Sequence, residues 1–338
     1  MALSIPLFSS VPEAKEKEAF NTVEYIFDHV NDSHQWYFCT VGKTQVAVPL
    51  PVILYSKQTG WHFFSSNRLY KPVAGFPFKV IQGGNNDGKI VEKLSDGTEF
   101  YPLDLSLTKT VISVIFASII LIIFLIKASR KTTSDPMATP RGIQNLLEPV
   151  VIFIRDDVAK PFAGEKYQRY LPFLLTIFSF ILVANLMGLL IPLEINITAN
   201  IAVTMVLAAF TFVITTFSGK KNYWLGIFNP EVPWFMKIPI PLIPFIEFIG
   251  IFTKPIILMI RLFANMFAGH MIVTVLIALI FLMSTIFNPI VGAGTSVMTI
   301  LFSLFMLLMD ILVSFIQAYI FALLSAMYFG MASSEEKH

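Results

Sequence analysis

Four ionisable side chains, Glu247, Arg261, His270 and Asp310, stand inside long apolar runs of this sequence. A charge at membrane depth costs at least about 2.5–3.5 kcal/mol on insertion scales, so such residues face a protein interior or a water path and mark function by default. The plainer reading, snorkelling to an interface or a structural polar contact, suits Glu247 best and Arg261 least. The helical neighbours of Arg261 are Ile257, Leu258, Ala264 and Asn265, none of them acidic. Glu247 stands 14 positions earlier, about 21 Å along a helix and too far to pair. Because a guanidinium stays charged at any physiological pH, its carboxylate is expected from another chain, in a pairing that can be made and broken. His270 suits different chemistry. With an ordinary pKa near 6.5 it takes and releases protons near neutrality, and a carboxylate beside it makes a relay. A structural histidine satisfied by Asp310 is the simpler alternative.

Two long elements must position these groups. Ile243 to Phe287 and Val297 to Met331 are apolar, and as helices they reach roughly 67 and 52 Å. A hydrocarbon core about 30 Å thick does not hold such lengths upright, so an oblique antiparallel pair is expected, with Asn288 to Gly294 as its turn. Folded about Pro289, the pair sets Arg261 level with Gln317 and His270 level with Asp310. The second pair lies about 13.5 Å nearer the turn, and nine helical residues place His270 on the face opposite Arg261. Glu194, Asn196 and Asn200, near the ends of two shorter spans, extend the polar route towards the same face, although ordinary loop polarity explains them almost as well.

The rest of the chain fits this frame. Of 338 residues 55% are apolar and only 14% charged, with a mean hydropathy of +0.71; a soluble chain needs about a quarter of its residues charged. The 24 basic and 22 acidic residues leave no basic field for nucleic acid. The single cysteine, Cys39, offers no disulfide and no thiolate metal site. The expected architecture is an all-α polytopic membrane protein with spans near 105–127, 171–193, 200–217, 243–287 and 297–331. Gly142 to Ala159 is expected as an amphipathic helix on the inner surface.

Residues 1–104 are expected as a separate extracytoplasmic domain and 105–338 as the membrane domain. The first holds short aromatic and β-branched runs at Trp36–Val41, Val46–Tyr55 and Trp61–Phe64, with turns at Gly83–Gly88 and Asp96–Thr98, which predicts β structure. Met1 to Pro12 lacks a positive n-region and is not expected to be a signal peptide. Basic residues including Lys127, Arg130, Arg141, Arg155, Lys160, Lys220 and Lys237 put the loops after spans one and three in the cytoplasm, with the C-terminus inside and the N-terminal domain outside.

The stretch from Thr253 to His270, TKPIILMIRLFANMFAGH, resembles the signature of subunit a of the rotary F-type ATP synthases. So do Gln317–Phe321, the ending Met331–Glu336, and Asn185–Pro192, and the likeness runs from about Leu146 to the C-terminus. The extended N-terminus is similar to that of Bacteroidota members. The resemblance implies the proton-channel stator subunit of Fo in a bacterial inner membrane, partnered by a c-subunit ring, the b-subunit peripheral stalk and, indirectly, the F1 sector. It implies that Arg261 faces the ring carboxylates, with Asn265 one turn along and Gln317 beside it. It implies a proton inlet lined by His270, Asp310, Glu194 and Asn200, and an outlet near Glu247, Thr253 and Lys254. Many bacterial relatives carry Glu where this chain has His270 and His where it has Asp310, an exchange that keeps an acid–histidine relay. Gly188 stands where some relatives are acidic.

No cofactor, metal or catalytic residue is expected. The rival reading is a stand-alone proton-coupled transporter using His270 and Asp310. Such folds carry paired repeats with broken helices, which this sequence lacks. An intramembrane hydrolase would need a nucleophile with its base or a metal motif, and neither is present.

Overall fold

Strict alternation of side chains shapes the N-terminal domain. Along β3 (Pro51–Ser56) Val52, Leu54 and Ser56 are buried while Pro51 and Tyr55 are exposed, the period-2 pattern of a pleated strand. The computed structural model describes residues 32–41, 44–70, 76–81, 88–93, 98–134, 142–189, 197–228, 242–287 and 289–333. The turns expected at Gly83–Gly88 and Asp96–Thr98 fall largely, and Met1–Pro12, Glu194 and Asn196 wholly, outside the described residues.

Before β3 come β1 (Gln35–Val41) and β2 (Thr44–Pro49), which pair antiparallel. Then follow β4 (Gly60–Ser65), the short α1 (Asn67–Tyr70), β5 (Phe78–Val80), β6 (Ile90–Lys93), β7 (Glu99–Phe100) and β8 (Leu103–Asp104). Two three-stranded sheets form, ordered β4-β3-β8 and β5-β6-β7. The single run expected over Val46–Tyr55 divides at Leu50. There prolines at 49 and 51 remove ladder donors, and the Leu50 backbone pairs instead with Ser66, its N–H donating to Oγ and its carbonyl accepting from the Ser66 N–H. Val52, Leu54, Phe78 and Ile90 form the core, with Phe64 and Phe76 packed against it. Buried Glu92 is satisfied by hydroxyls, accepting from Ser56 and from Thr59 at 2.8 Å.

Asp104 ties the domain to its first residues, accepting from His34 Nε2 at 2.9 Å and from the Ser106 N–H at 2.9 Å. Burial pushes its carboxyl up, but the His34 and Ser106 hydrogen bonds outweigh burial and hold it below the ordinary aspartate value.

Five helices are long and apolar enough to cross a membrane: Lys109–Lys127, Tyr167–Gly188, Ile201–Ser218, Phe245–Ile286 and Gly292–Ser333. They belong to α2 (Lys109–Ser134), α5 (Tyr167–Gly188), α6 (Ile201–Ser218), α8 (Leu242–Ile286) and α9 (Pro289–Ser333). Between α2 and α5 lie α3 (Ile143–Phe153), a π-helical turn (Ile154–Ala159) and α4 (Lys160–Ala163); α7 (Lys221–Phe228) follows α6. The surface helix expected over Gly142–Ala159 is therefore α3 continued by a π turn. On that turn Asp156 is held well below the carboxylate range by hydrogen bonds from Arg155 and Lys160.

Two boundaries differ from expectation. The second span starts at Tyr167 rather than 171, because hydropathy marks only the apolar part of a helix whose first turn is Tyr-Gln-Arg-Tyr. The segment expected as a turn, Asn288 to Gly294, is helical from Pro289 onward. Proline suits a first helical position, where its missing N–H is no loss, and Gly292 packs so closely on Ser284 that a Cβ would fall 2.7 Å from the serine Cβ. The last helix is consequently 45 residues long, against about 35 expected.

The chain divides into two compact units: residues 1–116, 188–196 and 271–303, and the remainder. In the second, Leu174, Phe178 and Ile181 of α5 pack with Ile154 and Val158, with Leu258 and Leu262 of α8, and with Phe321, Ala322 and Phe329 of α9. Along α6 the buried side chains are Thr204, Ala208, Thr211 and Thr215, a stripe of small residues that lets helices approach closely. Gly330 meets the backbone of α4, where an added Cβ would run into the Phe162 carbonyl oxygen.

Two expected outcomes follow. Gly330→Ala should destabilise the bundle by about 1–3 kcal/mol, the usual cost of overpacking, while Gly250→Ala, with nothing within 4 Å of the new methyl, should be neutral or better; detergent-denaturation midpoints separate the two. Because the folded-state pKa of Asp104 is depressed, its contribution is present above the ordinary 3.8 and is lost as pH falls through the lower folded value. Amide exchange in β3 and β8 should accordingly accelerate on acidification in the wild type, and Asp104→Asn should remove that pH dependence.

Candidate functional site

Helix α8 carries its polar groups on distinct faces. Leu258, Leu262, Met266 and Gly269 are buried and recur at helical spacing, whereas Ile257, Ile260, Ala264 and Ala268 are exposed. Arg261 lies half-buried on the border between these two stripes, and Asn265, one turn on, is exposed. Among the described residues Arg261 makes no ion pair and no hydrogen bond. The neighbouring exposed stripe offers two alanines beside Asn265, a shallow apolar strip where another helix could come close to the guanidinium.

Helix α9 supplies Gln317 and Asp310. Gln317 is buried at 7% exposure in the line Ser314, Gln317, Ala318 and Phe321, while Leu312, Phe315 and Ile316 look outward. Asp310 sets its carboxylate against the backbone of Gly269: a Cβ there would stand 2.9 Å from Oδ1 and 3.3 Å from Cγ. The carboxylate therefore reaches α8 one residue before His270, at a point that only glycine leaves open. The Asp310 carbonyl also accepts from Ser314 Oγ at 2.7 Å. Further along the same two helices, Lys254 Nζ sits 5.7 Å from the centre of the Tyr328 ring.

Of the remaining expected residues, Asn200 serves local structure, its Oδ1 accepting from the Ala202 N–H at 2.9 Å as the N-cap of α6. Glu247 lies near the start of α8, and its charge acts on Tyr223 of α7, whose hydroxyl is pushed up by burial and then by Glu247. Tyr223, Thr216, Lys254 and Tyr328 line a common polar cleft, and the Thr216 hydroxyl is buried there with no hydrogen-bond partner.

One group escapes sequence reasoning. Asn185 is fully buried in α5, its Oδ1 accepting from Thr198 Oγ1 at 2.6 Å and its Nδ2 left without a partner. A lone asparagine inside an apolar span is the available signal, since a buried amide donor needs a partner or a water.

An apolar bundle that buries one arginine, a carboxylate and unsatisfied amide and hydroxyl groups has the make-up of an integral membrane protein that moves ions. Comparison with known proteins gives the family. Residues 110–330 match the ATP synthase A chain family, and residues 25–106 match a domain of unknown function. The chain is 44% identical over 243 residues to ATP synthase subunit a of Chlorobium phaeobacteroides, covering 70% of this chain and 67% of that one. It is 43% identical over 245 residues to the subunit a of Chloroherpeton thalassium, covering 70% and 69%. With the subunit a of Myxococcus xanthus it shares 39% over 284 residues, 80% of this chain and 89% of that one. The chain belongs to the ATP synthase A chain family, the non-catalytic, ion-translocating subunit of the synthase's membrane sector.

The register of α8 on α9 is open to a direct check. In a Cys39→Ser background, cysteines replacing Gly269 and Asp310 should join on mild oxidation, while cysteines replacing Gly269 and Ser314, one turn displaced, should not; gel mobility after proteolysis distinguishes them.

Proposed function

We propose that this chain is the stator of a proton-driven rotary synthase in a bacterial inner membrane, with the N-terminal domain outside and the C-terminus in the cytoplasm. The observation that carries the reading is Arg261: a permanent charge on the rim of an exposed apolar strip with no acidic partner among the described residues. A carboxylate presented by a passing c subunit would be held ionised by the guanidinium, which lowers its pKa by attraction. The proton is thus shed beside Arg261 and cannot cross directly.

In this reading α8 and α9 form an antiparallel, oblique pair, supported by the contacts of Gly269 with Asp310 and of Lys254 with Tyr328, which step apart in opposite directions along the two helices. His270 and Asp310, with Asn185, Thr198, Glu194 and Asn200, line the half-channel open to the outside. Glu247, Thr253 and Lys254, with the cleft at Thr216 and Tyr223, lead to the cytoplasm. Asn265 and Gln317 flank the arginine. Two half-channels that do not meet oblige each proton to ride the ring, so the membrane potential, worth about 2.3 kcal/mol per charge per 100 mV, is delivered as rotation. The b subunits hold the stator, and the F1 sector receives the torque.

Arg261→Ala should reduce proton-driven ATP synthesis in inverted vesicles to background while the complex still assembles; normal coupling in that variant would refute the role. The same vesicles with and without Na⁺ should give equal rates, as a proton-coupled device requires.

A further inference from the structure

The sheet β4-β3-β8 is apolar on both faces. One face, with Val52 and Leu54, covers the domain core. The other carries Tyr55, Trp61, Phe63, Leu103 and Leu105, with exposures of 38%, 56%, 70%, 59% and 49%. These are neighbours rather than strays: Tyr55 pairs with Trp61 across β3 and β4 and with Leu103 across β3 and β8. The Trp61 ring lies 5.0 Å from Tyr55 and stacks on Phe63 at 6.1 Å. No charged side chain belongs to this face within the three strands. A patch of this kind next to water is unusual and marks a surface that something covers.

What lies next to it is the membrane. After β8 the chain keeps pairing with β3, the Leu105 and Leu107 N–H groups donating to the Ile53 and Pro51 carbonyls at 3.0 and 3.3 Å. The first membrane helix starts at Lys109, whose N–H donates to the Ser33 carbonyl at 3.1 Å, and the Thr110 N–H donates to Asp32. The sheet is thus stapled to the first turn of a span and has no free linker. Leu105 is four residues before that helix, at most about 14 Å of chain, and Leu103 and Trp61 stand one strand step beyond. Lipid is held beside this face at all times by the protein's own anchor, and Trp and Tyr mixed with aliphatic side chains is the composition that settles at the level of lipid headgroups.

We propose that this aromatic face docks on the outer headgroup region of the bilayer and fixes the N-terminal domain against the membrane. The residues involved are exposed, so substituting them leaves the domain core intact. The test uses the full-length protein in phosphatidylcholine–phosphatidylglycerol nanodiscs whose acyl chains are brominated close to the headgroup. Comparing wild type with Trp61→Phe isolates the Trp61 emission: it should be blue-shifted and lose most of its intensity in the brominated bilayer, and aqueous iodide should leave it unquenched. Leu105→Glu with Phe63→Glu should red-shift it and restore iodide access, with strand amide protection unchanged as the control for folding. Trp61 emission that is water-like and open to iodide in the nanodisc would overturn the proposal. So would shielding that appears only in the assembled synthase, which would assign the face to a protein partner.

Discussion

A guanidinium at membrane depth fixes the design of this protein. Its charge cannot be titrated away, so the fold either supplies a carboxylate or leaves the charge where one can arrive. The structure takes the second course: Leu258 and Leu262, beside Arg261 on the buried stripe of α8, are packed into the core of α5 and α9. The carboxylate nearest along the site, Asp310, is directed at Gly269 instead. Packing thus decides electrostatics. The helices that bury one stripe of α8 necessarily turn the next stripe, and Arg261 with it, towards the outside.

The same division of faces keeps two chemistries apart. Nine residues separate Arg261 from His270, so the imidazole and the guanidinium sit on opposite sides of one helix, and a charge arriving at one does not meet the other. Gly269 joins them structurally. Its missing side chain lets Asp310 come within van der Waals range of the α8 backbone, and a methyl group in that position would displace the carboxylate.

Much of this is legible in the sequence because apolar length and isolated charge are strong signals. The five spans, the two extra-long helices, and the levels of 269–270 and 310 all follow from hydropathy and the rise of a helix. The turn between α8 and α9 is harder to place, since Pro289, Gly292 and Gly294 read as breakers in water, whereas in a packed membrane helix proline opens the first turn and glycine admits a neighbour. Asn185 gives little warning because its importance lies in a contact with Thr198 across a loop, and such contacts leave no periodic trace. The apolar second face of β3 and β4 is hidden for a related reason: aromatic runs announce strands but do not say which side is covered.

The threonine stripe of α6 has a mechanical meaning. Thr211 and Thr215 donate to the carbonyls of Leu207 and Thr211 in their own helix, and Ser325 on α9 donates to Phe321 in the same manner. Thr211 and Ser325 also meet at 3.4 Å. Hydroxyls already satisfied at home can sit at a seam without demanding water, and their small size brings backbones together. A seam with little side-chain slack transmits force with little give, as befits a bearing housing that must stay still while its shaft turns.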